Sequence, residues 1–116
     1  MGAFADPEHE LPPERVKELL DRGEIDLIDI REPYEWDAGR IPGAQHIELE
    51  RLASRAHEID RSRPVVFQCR LGARSGMATQ AFRAAGWDAF NLEGGISEWH
   101  RRGLPLEPDD GEVADH

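Results

Sequence analysis

The sequence predicts an α/β domain in which a central, mostly parallel sheet of four to five strands is flanked by helices. Short apolar runs rich in branched residues alternate with segments that have helical spacing. The run Val65–Gln68 has the apolar character typical of a strand covered on both faces. A length of 116 residues suits one domain with a real core. Together these observations favour a three-layer α/β fold.

The predicted elements follow one another along the chain. Strands are predicted at residues 25–30, 44–47, 65–68 and 89–92. Helices are predicted after Pro12 and Pro13, as one turn at 34–38, around 49–56, from about Ser75 to Ala85, and from 95 through Trp99. Gly23, Gly86 and Gly103 lie just beyond predicted helix ends, where glycine is common.

The ends of the chain differ from its middle in composition. We expect residues 1–9 to be a lead-in, residues 10–105 to form the domain, and residues 106–116 to be an acidic mobile tail. No apolar run reaches the length of a membrane span, and the first residues lack the pattern of a signal peptide. We therefore expect a cytoplasmic protein, and nothing in the sequence demands more than a monomer.

Charge is distributed unevenly along the chain. The net charge of −10 makes nucleic acid and anionic membranes poor partners. From Arg61 to Trp87, however, there is no Asp or Glu, while five arginines are present. This acid-free segment contains the only cysteine and suits a small anionic substrate. The alternative is a chance gap in a chain that uses Arg for almost all of its positive charge.

Cys69 lies between a predicted buried strand and the start of a predicted helix. A helix start presents unpaired backbone N–H groups, which bind anions and favour a thiolate over a thiol. Gly72 lets the backbone curl, so that successive N–H groups can converge on one point. A lone cysteine is more often an inert core residue. The arginines and glycine beside Cys69 argue against that interpretation.

Three motifs of the sequence resemble those of the rhodanese family of sulfurtransferases. They are Asp29-Ile30-Arg31-Glu32-Pro33-Tyr34-Glu35-Trp36 with Gly39-Arg40-Ile41-Pro42-Gly43-Ala44, then Cys69-Arg70-Leu71-Gly72-Ala73-Arg74-Ser75, then Asn91-Leu92-Glu93-Gly94-Gly95-Ile96-Ser97-Glu98-Trp99. They occur in the family's order over residues 10–105. Arg40 stands where the family usually has His, which bears on local packing and not on the nucleophile.

The resemblance implies covalent sulfur transfer through a persulfide on Cys69. The donor is an anion such as thiosulfate, and the acceptor is cyanide or a thiol, with thioredoxin or glutathione as candidates. Loop residues are implied in substrate binding, namely Arg70, Leu71, Gly72, Ala73, Arg74 and Ser75. Arg74 is favoured over Arg70 for holding the anion because the family often carries a basic residue there. Ser75 is expected to cap the helix or to donate its hydroxyl to the sulfur.

Asp29 and Arg31 are implied as supports that brace the loop rather than as catalytic groups. The five histidines are scattered without a pair at metal-ligand spacing, so we predict neither a metal site nor a cofactor.

Two other functions remain open from the sequence. Phosphatases and arsenate reductases also hold a thiolate in a nest, but they place Arg after Cys and five intervening residues. Here that position is Ser75, and Arg74 comes one residue earlier, which favours the smaller sulfur atom as cargo. The second alternative is a non-catalytic rhodanese-like module that binds a partner or carries a persulfide. Retention of Cys69 favours an enzyme over this module.

Overall fold

The computed structural model describes residues 7–115 and consists of a five-stranded sheet with five α-helices. The strands are β1 (Glu10–Leu11), β2 (Asp26–Asp29), β3 (Gln45–His46), β4 (Val65–Gln68) and β5 (Ala89–Leu92). The helices are α1 (Pro13–Asp21), α2 (Pro33–Ala38), α3 (Leu52–Arg55), α4 (Ala73–Ala84) and α5 (Gly95–Arg101). Single 3₁₀ turns lie at Pro7–His9, Leu49–Arg51 and Ala56–Glu58.

The strand order is β1-β5-β4-β2-β3, and every neighbouring pair is parallel. The central strand is β4, in which Phe67 lies opposite Ile28 of β2 and Asn91 of β5. The predicted α/β class is confirmed, and the sheet has the larger of the two expected strand numbers. In such a sheet, ligands bind beyond the carboxyl ends of the strands, and the loop that carries Cys69 begins there.

Each face of the sheet has its own apolar core. On one face Val65 and Phe67 pack with α4, and Phe67 contacts the Phe82 ring at a centroid distance of 4.7 Å. On the other face Val66 packs with Val16 of α1 and Trp99 of α5. Because alternate residues of β4 face opposite layers, the strand is buried along its whole length. The loop after β4 is therefore anchored at the centre of the fold.

The ends of the described chain form backbone contacts that the sequence did not predict. Residues 1–6 of the predicted lead-in lie outside the described residues, but Glu10 and Leu11 pair with β5 as an edge strand that was not predicted separately. Residues 106–115, expected to be a mobile tail, lie against the domain. Leu106 is buried, and backbone hydrogen bonds join Glu107 to Arg40 and Glu112 to Ala38. Composition predicted a solvated tail because it carries no information about these backbone pairings.

No helix within residues 7–115 is long and apolar enough to cross a membrane.

Candidate active site

The Cys69 sulfur lies at the start of α4 and accepts hydrogen bonds from three donors. The backbone N–H groups of Gly72 and Ser75 lie 3.1 and 3.4 Å from Sγ, and the Ser75 hydroxyl lies 3.3 Å from it. The side chain of Ser75 is fully buried. Sγ therefore takes the place of a capping oxygen for the first turn of α4. Ser75 is the third residue of α4 and not its cap, so the expected capping role gives way to donation to the sulfur.

The loop curls around Sγ because the first carbonyl oxygens of the loop are hydrogen-bonded to α5, on the side away from the sulfur. The backbone N–H groups of Ile96 and Ser97, at the start of α5, donate to the carbonyl oxygens of Cys69 and Arg70 at 2.9 and 3.0 Å. With these carbonyls directed towards α5, the N–H groups that follow are free to converge on Sγ. Gly72 completes the turn with a φ of +102°, a conformation that glycine adopts without strain.

Gly95 allows α5 to approach the loop this closely. A Cβ at this position would overlap the carbonyl oxygens of Cys69 and Arg70, and its φ is +63°. The Gly94-Gly95 motif, which is distant from Cys69 in sequence, is thus a structural part of the cysteine loop.

Arg74 is bound by a buried carboxylate on α2. Its Nη1 and Nη2 donate to Oε1 and Oε2 of Glu35 at 3.2 and 3.3 Å, a bidentate arrangement. The Glu35 side chain is fully buried and also accepts the N–H of Glu32 at 3.0 Å. Burial raises the pKa of Glu35, but the hydrogen bonds from Arg74 and Glu32 outweigh it and lower that pKa below 4.5. Burial likewise lowers the pKa of Arg74, and the contact with Glu35 outweighs it and raises that pKa.

Arg70 lies at the mouth of the site with a different kind of partner. Its Nη2 donates to Oδ1 of Asp115 at 3.3 Å, and the Asp115 side chain is 97% exposed. The Tyr34 hydroxyl donates to the backbone carbonyl of Asp115 at 3.1 Å.

An open pocket of about 300 Å³ reaches Cys69. Its lining comes almost entirely from the predicted loop, namely Cys69, Arg70, Leu71, Ala73 and Arg74. The Leu71 side chain is well exposed at its edge, while Cys69 itself is almost wholly buried. This pocket therefore reaches the sulfur from the side on which the two arginines lie.

Asp29 and Arg31 form a fully buried ion pair at the carboxyl end of β2. Nη2 of Arg31 donates to Oδ2 of Asp29 at 2.7 Å and to the carbonyl of Gly39 at 2.8 Å. Neither residue lines the pocket. The pair joins β2 to the segment after α2, an arrangement consistent with the expected role of support.

Arg40, at the position where the family usually has His, belongs to a stack beside this support. Its guanidinium lies 5.3 Å from the centroid of the Trp36 ring, which stacks on His46 at 4.8 Å. The substitution is thus accommodated by packing and hydrogen bonding, away from the sulfur.

The structure divides the five arginines of the acid-free segment. Three of them are bound elsewhere: Arg61 donates to the carbonyl of Ala85, Arg63 to Gly23 and Ile25, and Arg83 lies 3.7 Å from Asp88. Only Arg70 and Arg74 line the cysteine pocket. The sequence pattern therefore predicted more positive charge at the site than the structure places there, since two of the five arginines line the pocket.

Three residues that hold the loop were not singled out from the sequence. Glu35 binds Arg74, and Asn91 donates its Nδ2 to the carbonyl of Gly72 at 3.1 Å and to Glu10 at 3.0 Å. Glu35 and Asn91 both belong to the motifs quoted above, so their positions were visible although their partners were not. Glu10 carried no signal, since an isolated glutamate before a proline pair is typical of a solvated surface.

The sequence matches a family model described as the rhodanese-like domain over residues 12–102. The chain belongs to the rhodanese-like family. A sulfurtransferase of Allochromatium vinosum is 39% identical to it over 94 residues, which cover 80% of this chain and 88% of that protein. The uncharacterized protein YqhL of Bacillus subtilis is 43% identical over 74 residues, covering 63% of this chain and 59% of that protein. The family model and the Allochromatium vinosum relative support a sulfurtransferase at the family level.

Solved rhodanese-like structures share the fold. A rhodanese-related protein of Thermoplasma volcanium superposes with a TM-score of 0.78 at 24% identity, covering 84% of this chain and 96% of that one. A Rhodopseudomonas palustris protein described as a possible tyrosine phosphatase has a TM-score of 0.74 at 26% identity, covering 85% of this chain and 84% of that one.

Within residues 7–115 no group of three or more His, Cys, Asp or Glu side chains is arranged to hold a metal ion.

Proposed function

We propose that this rhodanese-like protein transfers sulfane sulfur from an anionic donor such as thiosulfate to a thiol or cyanide, through a persulfide on Cys69. The observation that carries the proposal is the set of three donors around Sγ, two backbone N–H groups and the Ser75 hydroxyl. Fixed donors aimed at a sulfur atom stabilise negative charge on it without reorganisation. The thiolate is the nucleophilic form of a cysteine.

In the first half-reaction the Cys69 thiolate attacks the outer sulfur of thiosulfate. A new S–S bond forms with Sγ, the S–S bond of thiosulfate breaks, and its electron pair leaves with sulfite. The product is a persulfide anion, so no external oxidant or reductant is required. The negative charge ends on the outer sulfur, which remains close to the loop N–H groups and to the positive charge of Arg70 and Arg74.

In the second half-reaction an acceptor attacks the outer sulfur of the persulfide. A bond forms between the acceptor and that sulfur, the S–S bond breaks, and its electron pair returns to Cys69 as the thiolate. Cyanide gives thiocyanate, and a thiolate gives a new persulfide. Because one product leaves before the acceptor binds, the kinetics are ping-pong.

Intact mass spectrometry after incubation with thiosulfate tests this proposal. Since Cys69 is the only cysteine, a gain of one sulfur atom reports on this residue alone. We expect the gain in the wild-type protein, its loss on adding cyanide with release of thiocyanate, and no gain in Cys69→Ser. A wild-type protein that stays unmodified by thiosulfate and by an inorganic polysulfide would reject sulfur transfer at Cys69.

Phosphate ester hydrolysis is the second candidate, supported by the structural relative described as a possible tyrosine phosphatase. The loop argues against it, because its donors converge on Sγ itself and Arg74 is bound by Glu35. Hydrolysis of p-nitrophenyl phosphate by the wild-type protein, absent in Cys69→Ser and without persulfide formation, would favour this function over sulfur transfer.

The third function, a carrier or binding module, predicts a different kinetic result. A carrier forms the persulfide but does not transfer its outer sulfur to cyanide or small thiols in repeated cycles. Production of several molecules of thiocyanate per protein molecule therefore distinguishes an enzyme from a carrier.

We propose the reducing cytoplasm as the location of this protein, because a free nucleophilic thiol persists there.

A further inference from the structure

We infer that Arg70 and Tyr34 form an anion subsite at the mouth of the cysteine pocket, and that the chain's own Asp115 occupies it. The ligand class is an oxyanion with several oxygens on one atom, such as the sulfonate-like end of a sulfur donor. Naming the donor as this ligand rests on the proposed function. An anionic donor then binds by displacing Asp115, so the C-terminal segment sets the apparent affinity.

The subsite consists of two groups that donate hydrogen bonds to the same residue, Asp115. Nη2 of Arg70 lies 3.3 Å from the Asp115 carboxylate, and the Tyr34 hydroxyl lies 3.1 Å from the Asp115 backbone carbonyl. Nε of Arg70 is buried and has no hydrogen-bond partner among residues 7–115. Asp115 therefore uses Nη2 of Arg70 and leaves Nε unpaired.

Asp115 reaches this position through an anchored segment. The backbones of Arg40 and Glu107 exchange hydrogen bonds of 3.0 and 2.7 Å, and the N–H of Glu112 donates to the carbonyl of Ala38 at 2.8 Å. Val113 packs against the core cluster that contains Trp99. These contacts raise the local concentration of the Asp115 carboxylate beside Arg70, as a tether does for any weak ligand.

The contact between Asp115 and Arg70 is weak enough to be displaced. The Asp115 side chain is 97% exposed, so water and salt screen the pair. Exposed ion pairs shift an equilibrium by at most about fivefold. Arg74, by contrast, is bound by the fully buried Glu35 and is not free to exchange partners in the same way. Arg70 therefore recognises the donor, whereas Arg74 fixes the loop, the reverse of the order expected from the sequence.

Thiosulfate binding to the Cys69→Ser protein, measured by calorimetry, tests the subsite without turnover. In this background we expect Asp115→Asn to tighten binding about two- to fivefold. The matched control is Asp110→Asn, an exposed aspartate of the same segment, which should leave binding unchanged. Arg70→Gln should weaken binding. Adding Asp115→Asn to Arg70→Gln should not increase the affinity further, because the Asp115 carboxylate then has no Arg70 guanidinium to occupy.

Each other result overturns the inference. Equal tightening by Asp115→Asn and Asp110→Asn would mean a general charge effect. Tightening by Asp115→Asn in the Arg70→Gln background would mean that Asp115 acts elsewhere, and no tightening in either background would mean that it does not compete. The proposed function fails separately, if the wild-type protein binds thiosulfate but forms no persulfide.

Discussion

Arg70 and Arg74 belong to one seven-residue loop and line one pocket, yet their partners differ in burial. Arg74 is held in a bidentate contact by Glu35, whose side chain is fully buried. Arg70 meets Asp115, whose side chain is almost fully exposed. The contribution of a charge pair depends on burial, because water solvates and screens exposed charges but cannot solvate a buried charge that has lost its partner. The same residue type can therefore serve as a structural tie at one end of the loop and as a ligand contact at the other.

This difference bears on how the loop works. In the proposed mechanism the N–H groups that hold the sulfur must not move, and the contact between Arg74 and Glu35 joins α4 to α2. The same mechanism requires, at the mouth of the pocket, a cation whose partner can be exchanged as the donor enters and the product leaves. The following substitutions test that division by measuring stability.

The largest loss of stability is expected at the pair of Asp29 and Arg31. Both side chains are fully buried, so this pair gives the upper limit against which the pairs of Arg74 and Arg70 are compared. Asp29→Asn leaves the buried Arg31 guanidinium without its counter-ion, and we expect a loss of about 3–5 kcal/mol in the free energy of unfolding. Urea denaturation measures it. Asp26→Asn in the same strand is the control, because its pair with Arg63 is 37% exposed on both sides, and its loss should stay below about 1 kcal/mol. Similar losses at Asp29 and Asp26 would contradict burial as the deciding factor.

Glu35→Gln should give the next largest effect, about 1–3 kcal/mol at pH 7, since it removes the charge from a hydrogen-bonded carboxylate. The pKa of Glu35 is lowered in the folded protein, so its stabilisation is present above its ordinary value of 4.5 and is lost as pH falls through the folded pKa. The stability gap between wild type and Glu35→Gln should therefore narrow as pH falls below about 4.5.

Urea denaturation at pH 7 and at intervals below pH 4.5 checks this expectation. Glu58→Gln is the control, because Glu58 forms an exposed pair with Arg55 within one helical turn. A gap for Glu35→Gln that is constant with pH would show that the carboxylate charge does not contribute.

A smaller effect is expected from Arg74→Lys, which keeps the charge but loses the planar fork that matches Glu35. We expect a loss of about 1 kcal/mol in the free energy of unfolding. Arg70→Lys is the matched control in the same loop and should leave the urea midpoint unchanged. A greater loss at Arg70 than at Arg74 would reverse the division proposed for the two arginines.

The smallest effect on stability is expected from Asp115→Asn. Its exposed contact with Arg70 contributes little to folding, so the thermal midpoint should match that of the wild type. Because this substitution is expected to change thiosulfate binding, it separates the effect on binding from the effect on stability. A clear drop in the thermal midpoint would assign Asp115 to the fold.

The fold was predictable because its signals are local. Strands β2, β4 and β5 appear in the sequence as short branched or aromatic runs, and α4 appears as an apolar stripe before Gly86. β1 was missed because two residues, Glu10 and Leu11, are too few to show a period. The position of Cys69 between β4 and α4 followed directly from these local signals.

The partners of the loop were not predictable, because they come from distant parts of the chain. Glu35 is 39 residues from Arg74, and Asp115 is 45 residues from Arg70. Spacing alone identified both arginines as candidates but could not say which carboxylate each would meet. The contacts of residues 106–115 with Ala38 and Arg40 were not predictable for the same reason, since they are formed by the backbone.

Because Sγ of Cys69 accepts hydrogen bonds from the first turn of α4, this helix is in direct contact with the atom proposed to carry sulfur. When sulfur is added to Cys69, the negative charge moves outward by one bond, and the N–H groups of Gly72 and Ser75 acquire a new acceptor or lose part of the old one. If the proposed mechanism holds, their amide resonances and exchange rates record whether Cys69 carries sulfur. Two backbone amides would then allow each proposed half-reaction to be followed in solution without a chromogenic substrate.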